Sequence, residues 1–398
     1  MPQNWKTYKL GEIAVIKYGK DHKKLEEGFY PCYGTGGIMR YVDKYLFNEE
    51  SVLIPRKGSL NNIYYINEPF WTVDTLFWTK VNSEKIIPKY LYYNFKTIDF
   101  ASKDVGSAVP SLTTSLLNEI EVCIPQISEQ KAIASILSAL DDKIELNLQQ
   151  NKTLEEMAMA LYKHWFVDFG PFQDGNFVES ELGMIPEGWE VKRIGEITKV
   201  VSKGTTPRKK DVDGLSLTIP FLKVKDISND GLINQSKLEL IPKTVHEKQL
   251  KRSKLKENDI LFSIAGTIGR VSIIPSSLEN SNCNQALAFI RLKERYKNLI
   301  QVYFYFKSVE VQSKINSSIV QGVQANVSLT VLKNLNIIIP KSNLTEKFNL
   351  EISPIFSLIR SNRIENQTLT KLRDTLLPKL ISGDVRVKDL EKTFTEML

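Results

Sequence analysis

Residues 129–165 read EQKAIASILSALDDKIELNLQQNKTLEEMAMALYKHW, a stretch without proline or glycine. Apolar residues and two asparagines recur in it at alternating steps of four and three residues. These positions are Ile133, Leu137, Leu140, Ile144, Asn147, Asn151, Leu154, Ala158, Leu161 and Trp165. The spacing is typical of the a and d positions of a coiled coil, so it predicts one long helix that packs against a second helix.

The same pattern of positions returns 215 residues later in the chain. The second set is Phe348, Ile352, Ile355, Ile359, Asn362, Asn366, Leu369, Arg373, Leu376 and Leu380. Nine of these ten positions keep the apolar or asparagine character of the first set, and Arg373 replaces Ala158. Pro354 falls inside the second run and is expected to bend that helix. The preserved register indicates that the two helices fit each other.

Asparagine occupies the fifth and sixth positions of both sets, namely Asn147, Asn151, Asn362 and Asn366. An antiparallel pairing would bring Asn147 near Asn366 and Asn151 near Asn362, and it would place the flanking globular domains at opposite ends. A parallel pairing, which composition alone leaves open, would set Asn147 against Asn362. Buried asparagines at such positions fix the register of a coiled coil at a cost in stability. The alternative is that they are exposed on a helix that never pairs.

The segments outside these helices also repeat. Residues 5–13, WKTYKLGEI, return as WEVKRIGEI at residues 189–197, an offset of 184. The copies end at Ile124-Pro125 and Ile339-Pro340, where the offset has grown to 215, so the second copy carries 31 additional residues. The predicted segments are a globular domain at 1–124, a helical spacer at 125–170, a second globular domain at 171–339 and a helical spacer at 340–398. The chain thus has an internal pseudo-twofold repeat.

Each globular copy alternates short β-type runs with turns. In the first copy, residues 51–54, 63–66 and 72–81 are rich in branched and aromatic residues, which predicts strands. Glycines mark turns at residues 34–37 and 57–59. We therefore expect an α+β fold with a curved β-sheet in each copy.

The composition of the 398-residue chain favours a polyanionic partner, because the net charge is +7 and the isoelectric point is near 9.0. The amino terminus does not resemble a signal peptide, and no apolar run reaches the roughly 20 residues of a membrane span. The expected compartment is the cytoplasm. Three scattered cysteines and three distant histidines predict neither a disulfide framework nor a metal site.

Several loops combine small residues with basic and amide side chains. Backbone amides, lysine and arginine can hold phosphates, whereas arginine, asparagine and glutamine can read base edges. For each single loop, an ordinary solvated turn is the competing interpretation. The candidate nucleic-acid-binding residues are Lys20, Thr35, Arg56, Lys57, Ser59, Asn61, Lys203, Thr205, Thr206, Arg208, Lys209, Thr267, Arg270, Asn284 and Gln324.

No motif in the sequence indicates catalysis. The run Gly34-Thr35-Gly36-Gly37 precedes residues of strand type and not a helix, which argues against a dinucleotide loop. The chain has no phosphate-binding P-loop motif, no Pro-Pro dipeptide of the amino-methyltransferase type and no Pro-Asp dipeptide of the common nuclease type. We therefore predict a non-catalytic chain with no catalytic residue and no metal.

These features together resemble the specificity subunit of a Type I restriction–modification system, over nearly the whole chain. The resemblance is carried by the repeated Trp…Gly-Glu-Ile opening at 5–13 and 189–197, by residues 33–38 (YGTGGI) and by residues 219–227 (IPFLKVKDI). It is also carried by residues 266–269 (GTIG) with 284–286 (NQA), and by the Ile-Pro before each helix with its Asn-x-Thr-Leu. One departure is Val73-Asp74-Thr75-Leu76 where the second copy has Asn284-Gln285-Ala286-Leu287, so contacts of Asn284 or Gln285 are not assumed in the first copy.

The resemblance implies two target-recognition domains, each reading half of a bipartite site in double-stranded DNA, with an antiparallel helical spacer between them. It also implies two methyltransferase subunits and restriction subunits as partners. S-adenosylmethionine, ATP and Mg²⁺ are expected only on those partners, and no cofactor is expected on this chain. Apolar helix residues expected to be exposed for docking are Met157, Met159, Tyr162, Trp165 and Phe166. The alternatives are a stand-alone DNA-binding regulator and a DNA-cutting or DNA-modifying enzyme.

Overall fold

The structure is a computed structural model that describes residues 4–104, 109–235, 238–293, 298–319, 326–340 and 342–387. The chain divides into two compact units. The first unit comprises residues 1–150 and 361–398, and the second comprises residues 151–360. Each unit therefore contains one globular copy, half of the first long helix and the opposite half of the second.

The first globular copy has an α+β fold with three small sheets, and the first long helix follows it. Its strands are β1 (Lys6–Lys9), β2 (Ala14–Tyr18), β3 (Tyr30–Gly34), β4 (Gly37–Val42), β5 (Ser51–Pro55), β6 (Tyr64–Ile66), β7 (Trp71–Thr72), β8 (Leu76–Val81) and β9 (Glu121–Ile124). Its helices are α1 (Leu10–Ile13), α2 (Pro88–Lys96), α3 (Thr114–Asn118) and α4 (Ile127–Phe166). The sheets are β1-β9, β2-β8-β5-β6 and β4-β3-β7.

The prediction of one strand over residues 72–81 is wrong, because two strands occupy this segment. β7 pairs in parallel with β3, whereas β8 pairs antiparallel with both β2 and β5 in a different sheet. Residues 73–75 cross from one sheet to the other. The other two runs are confirmed as strands with slightly shifted ends, and the glycine-rich residues 34–37 form the turn between β3 and β4.

The second globular copy follows an additional hairpin, β10 (Phe177–Ser180) with β11 (Gly183–Pro186), and repeats the strand order of the first copy. Its further strands are β12 (Glu190–Arg193), β13 (Thr198–Lys203), β14 (Leu217–Leu222), β15 (Glu239–Pro242), β16 (Ile260–Ser263), β17 (Val271–Ile273), β18 (Asn282–Cys283), β19 (Leu287–Leu292) and β20 (Asn336–Ile339). Its helices are α5 (Ile194–Ile197), α6 (Lys243–Glu247), α7 (Leu299–Lys307), α8 (Val309–Ser317), α9 (Leu329–Asn334) and α10 (Ser342–Ser382). The sheets β12-β20, β13-β19-β16-β17 and β15-β14-β18 match those of the first copy strand for strand.

The two long helices have nearly the same length, 40 residues in α4 and 41 in α10. Each begins three residues after the last strand of its globular copy. The helix α10 continues through Pro354 without a break. Among the described residues, no helix is both long enough and apolar enough to cross a membrane.

Antiparallel pairing of α4 and α10 is confirmed within each unit. In the first unit, Asp141 contacts Arg373 and Asn147 contacts Asn366, so numbers rise along one helix as they fall along the other. In the second unit, the end of α4 packs on the start of α10, where the ring centroids of Trp165 and Phe348 are 5.7 Å apart.

Each unit has an apolar core that includes residues of both long helices. In the second unit, Tyr162, Trp165 and Phe166 are buried in that core with strand residues of the globular copy. The expectation that these three aromatic side chains are exposed is therefore wrong. Met157 is exposed as expected, and Met159 is partly buried. The helix face that carries the aromatic residues is covered by its own chain.

Candidate nucleic-acid interface and paired helices

The three residues between β7 and β8, Val73–Thr75, form a short connection that we call link 1. The equivalent residues 284–286, between β18 and β19, form link 2. The Val73 amide donates to the Tyr33 carbonyl at 3.0 Å, and the Asn284 amide donates to the Leu222 carbonyl at 3.0 Å. The amide of the residue after each link then donates to the first carbonyl of that link, at 3.1 Å in both copies. The two links therefore share one pattern of backbone hydrogen bonds.

The segment after the first strand of the larger sheet packs on each link. In the first unit, the amide of Gly19 donates to the carbonyl of Leu76 at 3.0 Å, and that of Lys20 donates to Thr72 at 2.8 Å. In the second unit, Gly204 donates to Leu287 at 3.0 Å, and Thr205 donates to Cys283 at 3.1 Å. Lys20 and Thr205, both predicted binding residues, therefore occupy equivalent places beside the links.

Glycine is required where these segments cross the link. A Cβ atom on Gly19 would lie 2.0 Å from the carbonyl oxygen of Val73, and one on Gly204 would lie 1.9 Å from that of Cys283. Neither distance is compatible with van der Waals radii, so a side chain would force the two backbones apart. Gly19 was not among the predicted residues, although its offset of 185 from Gly204 is close to the repeat offset of 184.

We expect Gly204→Ala to lower the free energy of unfolding by about 1–3 kcal/mol, because the strained backbone must shift. Gly19→Ala should have a similar effect in the first unit. Gly36→Ala is the matched control, because its Cβ atom would meet no other atom within 4 Å. Urea unfolding of the full chain measures all three variants. Equal urea midpoints for Gly204→Ala and Gly36→Ala would contradict the requirement for glycine at position 204.

A third segment, after β5 in the first unit and after β16 in the second, completes each cluster. The Arg56 amide donates to the Thr75 carbonyl at 2.8 Å, and the Ile264 amide donates to the Ala286 carbonyl at 2.8 Å. The carbonyls of Arg56 and Ile264 in turn accept from Leu112 and Val327, both at 2.9 Å. Each unit thus gathers loops that are distant in sequence around its link.

In the first unit, side chains of the predicted set connect these loops. The Thr35 hydroxyl lies 3.2 Å from the Thr75 hydroxyl and from the Lys57 carbonyl. The Arg56 guanidinium donates to the Asp74 carbonyl at 3.1 Å and lies over the Tyr18 ring, 5.3 Å from its centroid. Lys20, Thr35, Arg56 and Lys57 are therefore brought together around link 1.

Two further predicted residues lie on the loop that follows β5. Ser59 is exposed. The Asn61 side chain donates to the Asp99 carboxylate at 3.0 Å and accepts from the Ala101 amide at 3.1 Å, so it anchors the segment after α2.

In the second unit, Thr206 donates its hydroxyl to the amide oxygen of Gln285 in link 2. The side-chain oxygen of Asn284 is buried and has no hydrogen-bond partner among the described residues. The Arg270 guanidinium donates to the carbonyls of Val224 and Ile227, at 3.0 and 2.6 Å, so it holds the segment after β14. Gln324 lies outside the described residues. The predicted residues that are exposed in this unit are Lys203, Thr205, Thr206, Arg208, Lys209 and Thr267.

Neither link was predicted as the centre of a binding site, and Asp74 and Gln285 were not among the predicted binding residues. Both side chains are exposed at the middle of their links. The sequence signal was present, because the chain departs from its own repeat at these positions. Among the described residues, no group of three or more histidine, cysteine, aspartate or glutamate side chains is arranged to hold a metal ion.

The asparagines of the paired helices form a polar contact in the first unit. Asn147 is buried, and its side-chain nitrogen donates to Asn366 and to the Glu365 carboxylate, both at 2.8 Å. The Lys143 ammonium donates to the side-chain oxygen of Asn147 at 3.0 Å, so both the nitrogen and the oxygen of this side-chain amide have hydrogen-bond partners. Asn362 is also buried and donates to Gln150 at 3.3 Å. Asn151, which belongs to the second unit, is buried.

Arg373 is the one residue of the second helix that departs from the repeated apolar or asparagine pattern of the a and d positions, and its contacts explain why. Its guanidinium donates to the Asp141 carboxylate at 2.8 Å, and the Tyr93 hydroxyl donates to the same carboxylate at 2.8 Å. Burial is the main cause that raises the pKa of Tyr93, and the Asp141 carboxylate raises this pKa further. The hydroxyl therefore stays protonated. The second unit has apolar residues at the equivalent positions, where Phe356 packs edge-on against Phe304 at 5.7 Å.

We expect Asn147→Leu combined with Asn366→Leu to raise the melting temperature by about 2–4 °C, the equivalent of about 1 kcal/mol. Two leucines would replace buried Asn147 and its partly buried partner Asn366, and Lys143 would still pair with Glu365, 3.3 Å away. Asn147→Leu alone should lower stability, because it removes a buried donor from Asn366. Thermal unfolding of the three chains separates these outcomes, and a double variant that melts below Asn147→Leu would refute the interpretation.

Comparisons with known proteins match this architecture. The family model described as the Type I restriction modification DNA specificity domain matches residues 2–156 and 186–373. The MjaIX specificity subunit of Methanocaldococcus jannaschii is 32% identical, with 98% of this chain and 95% of that protein covered. The HindI specificity subunit of Haemophilus influenzae is 25% identical, with 96% of this chain and all of that protein covered.

A solved structure shares the fold. The S subunit of the Type I restriction–modification system from M. genitalium has a TM-score of 0.60, with 16% sequence identity and coverage of 95% of this chain and 96% of that chain. The duplicated fold, the two matched stretches and the near-complete overlap with its relatives all lead to one assignment. The chain belongs to the family of Type I restriction–modification specificity subunits.

Proposed function

We propose that each unit reads one half of a bipartite DNA site for a Type I restriction–modification complex. The observation that carries this proposal is the pair of links. One backbone scaffold is built twice, held by equivalent hydrogen bonds, and it presents Val-Asp-Thr in one unit and Asn-Gln-Ala in the other. A duplicated scaffold with different exposed side chains is suited to reading two different sequences.

Charge and chemistry support DNA as the ligand. The chain has a net charge of +7, and exposed lysine or arginine flanks both links. Basic side chains near exposed polar ones match what duplex DNA requires, because phosphates position a protein and base edges specify the sequence. The predicted binding residues around link 1 and link 2 are proposed to serve these two roles.

The paired helices are proposed to set the gap between the half-sites and to dock two methyltransferase subunits. Exposed apolar side chains on the helices support docking, since such residues are costly to leave in water. They are Leu146, Leu148, Ile364 and Leu372 in the first unit, and Met157, Leu350 and Leu358 in the second. Restriction subunits complete the proposed complex.

Catalysis is assigned to those partners. In this proposal S-adenosylmethionine, ATP and Mg²⁺ bind the partner subunits, and this chain contributes recognition without a catalytic residue or cofactor of its own. The complex would act in the cytoplasm, where its DNA is accessible.

The proposal is tested by co-expression of the chain with methyltransferase subunits, followed by genome-wide mapping of methylated adenines. A site of two short sequences with a fixed gap is expected. Exchange of residues 1–124 for the matching domain of a relative should change one of the two sequences only. A single uninterrupted site would contradict the proposal, and specific binding by the lone chain as tight as by the complex would favour a stand-alone regulator.

A further inference from the structure

The middle residues of the two links are equivalent in position and complementary in chemistry. Asp74 is the middle residue of link 1, and Gln285 is the middle residue of link 2. Both side chains are exposed, and the residues on either side of each are fixed by backbone hydrogen bonds of the same pattern. Any ligand that contacts both links therefore meets a carboxylate in one unit and an amide at the same place in the other.

The Asp74 carboxylate has an unusual setting. It makes no hydrogen bond or ion pair with the described residues, although Lys20, Arg56 and Lys57 lie on the segments that adjoin link 1. A carboxylate facing DNA repels phosphates, and it cannot donate a hydrogen bond to the acceptors of guanine or thymine. The base edge that suits an ionised carboxylate in the major groove is the amino group N4 of cytosine.

The Gln285 side chain is oriented by its neighbour. The Thr206 hydroxyl occupies one lone pair of the amide oxygen, and the second lone pair and both amide hydrogens are left for a ligand. An acceptor and a donor side by side match N6 and N7 of adenine, to which glutamine binds in a bidentate manner. The Asp74 side chain therefore offers only acceptors, whereas the Gln285 side chain offers a donor beside an acceptor.

We infer that Asp74 and Gln285 are specificity-determining residues, with Asp74 selecting a cytosine in one half-site and Gln285 an adenine in the other. This inference rests on the proposed function, because it assumes that the links face DNA. It assigns base recognition to one equivalent position in each unit, and it makes the chemical difference between the links the source of the asymmetric site.

Two nearly isosteric exchanges test the inference in the assembled methyltransferase complex. Asp74→Asn supplies a donor beside an acceptor, so one position of the first half-site should change from cytosine towards adenine. Gln285→Glu removes the donor, so one position of the second half-site should change from adenine towards cytosine. Discrimination between the two bases should shift by about tenfold to a hundredfold at that position alone. Methylation mapping measures both half-sites in the same experiment.

Asp74→Ala is expected to relax the same position to any base. Glu84→Gln is the control, because this exposed carboxylate of the first unit lies outside the link and should leave both half-sites unchanged. Unchanged half-sites in Asp74→Asn and Gln285→Glu, changes in both half-sites at once, or loss of methylation from an intact complex would each overturn the inference. Absence of a bipartite site in the unaltered complex would instead overturn the proposed function.

Discussion

Insertion of four residues into each long helix, after Gln150 in α4 and after Arg360 in α10, should lengthen the gap between the half-sites by one or two base pairs. The half-sites themselves should not change. These positions lie at the boundary between the two units, so the contacts of Asn147 and of Trp165 with α10 are retained on their own sides of the insertion. Both helices must be lengthened, because they pair in each unit.

The size of the change follows from helix geometry. Four residues add about 6 Å of rise, close to two base pairs of B-DNA at about 3.4 Å each. They also add about 400° of rotation, which is about 40° beyond a full turn and close to the twist of one base pair. The excess rotation has the right-handed sense of the DNA, so rise and rotation both require a longer gap.

The matched control inserts three residues at the same two positions. This adds about 4.5 Å but falls about 60° short of a full turn, so the rotation opposes the twist of the DNA. Methylation by that complex should fall by at least an order of magnitude at every gap length. Methylation mapping of both insertion variants measures the gap and the bases of each half-site. Altered bases in the half-sites after the four-residue insertion would refute the spacer function.

The long helices could be predicted from sequence because their signal is local and periodic. The repeated a and d positions predict a helix over residues 129–165, and the observed helix α4 begins at Ile127 and ends at Phe166, within two residues of these bounds. The asparagine positions fitted antiparallel pairing but left parallel pairing open, and the contacts of Asp141 with Arg373 and of Asn147 with Asn366 decide between them. The exposure of Tyr162 was predicted wrongly, because the a and d positions identify one helix face and say nothing about a globular copy that covers another face.

The links could not be predicted in the same way. Residues 72–81 have the composition of one strand, and the break at 73–75 exists only because β7 joins a sheet whose other strands are distant in sequence. The pairing of Thr72 with Tyr33 is such a contact. Arg270 illustrates a further limit, since a loop arginine that donates to carbonyls of another segment of the chain has the same sequence signature as one that faces a ligand.

A second large effect is expected in the sheet of the second unit, where Arg291→Met should lower the free energy of unfolding by about 3–5 kcal/mol. The Asp259 side chain is almost fully buried, and the Arg291 guanidinium donates to both of its oxygens, at 2.7 and 2.6 Å. Arg291 also donates to the Lys254 carbonyl at 3.2 Å. Without the guanidinium, the buried carboxylate would keep only the Lys256 amide among these donors.

The duplicated fold supplies the control for this variant. Lys80 occupies the place of Arg291 in the first unit, on β8, where it is exposed and makes no ion pair with the described residues. Lys80→Met should therefore change stability by less than about 0.5 kcal/mol. Asp259→Asn combined with Arg291→Met should recover part of the loss, because the uncompensated charge is then absent. Denaturant unfolding of these variants, of Asp259→Asn alone and of the unaltered chain gives the coupling between the partners. Similar losses for Arg291→Met and Lys80→Met would show that the buried pair contributes nothing specific to the second unit.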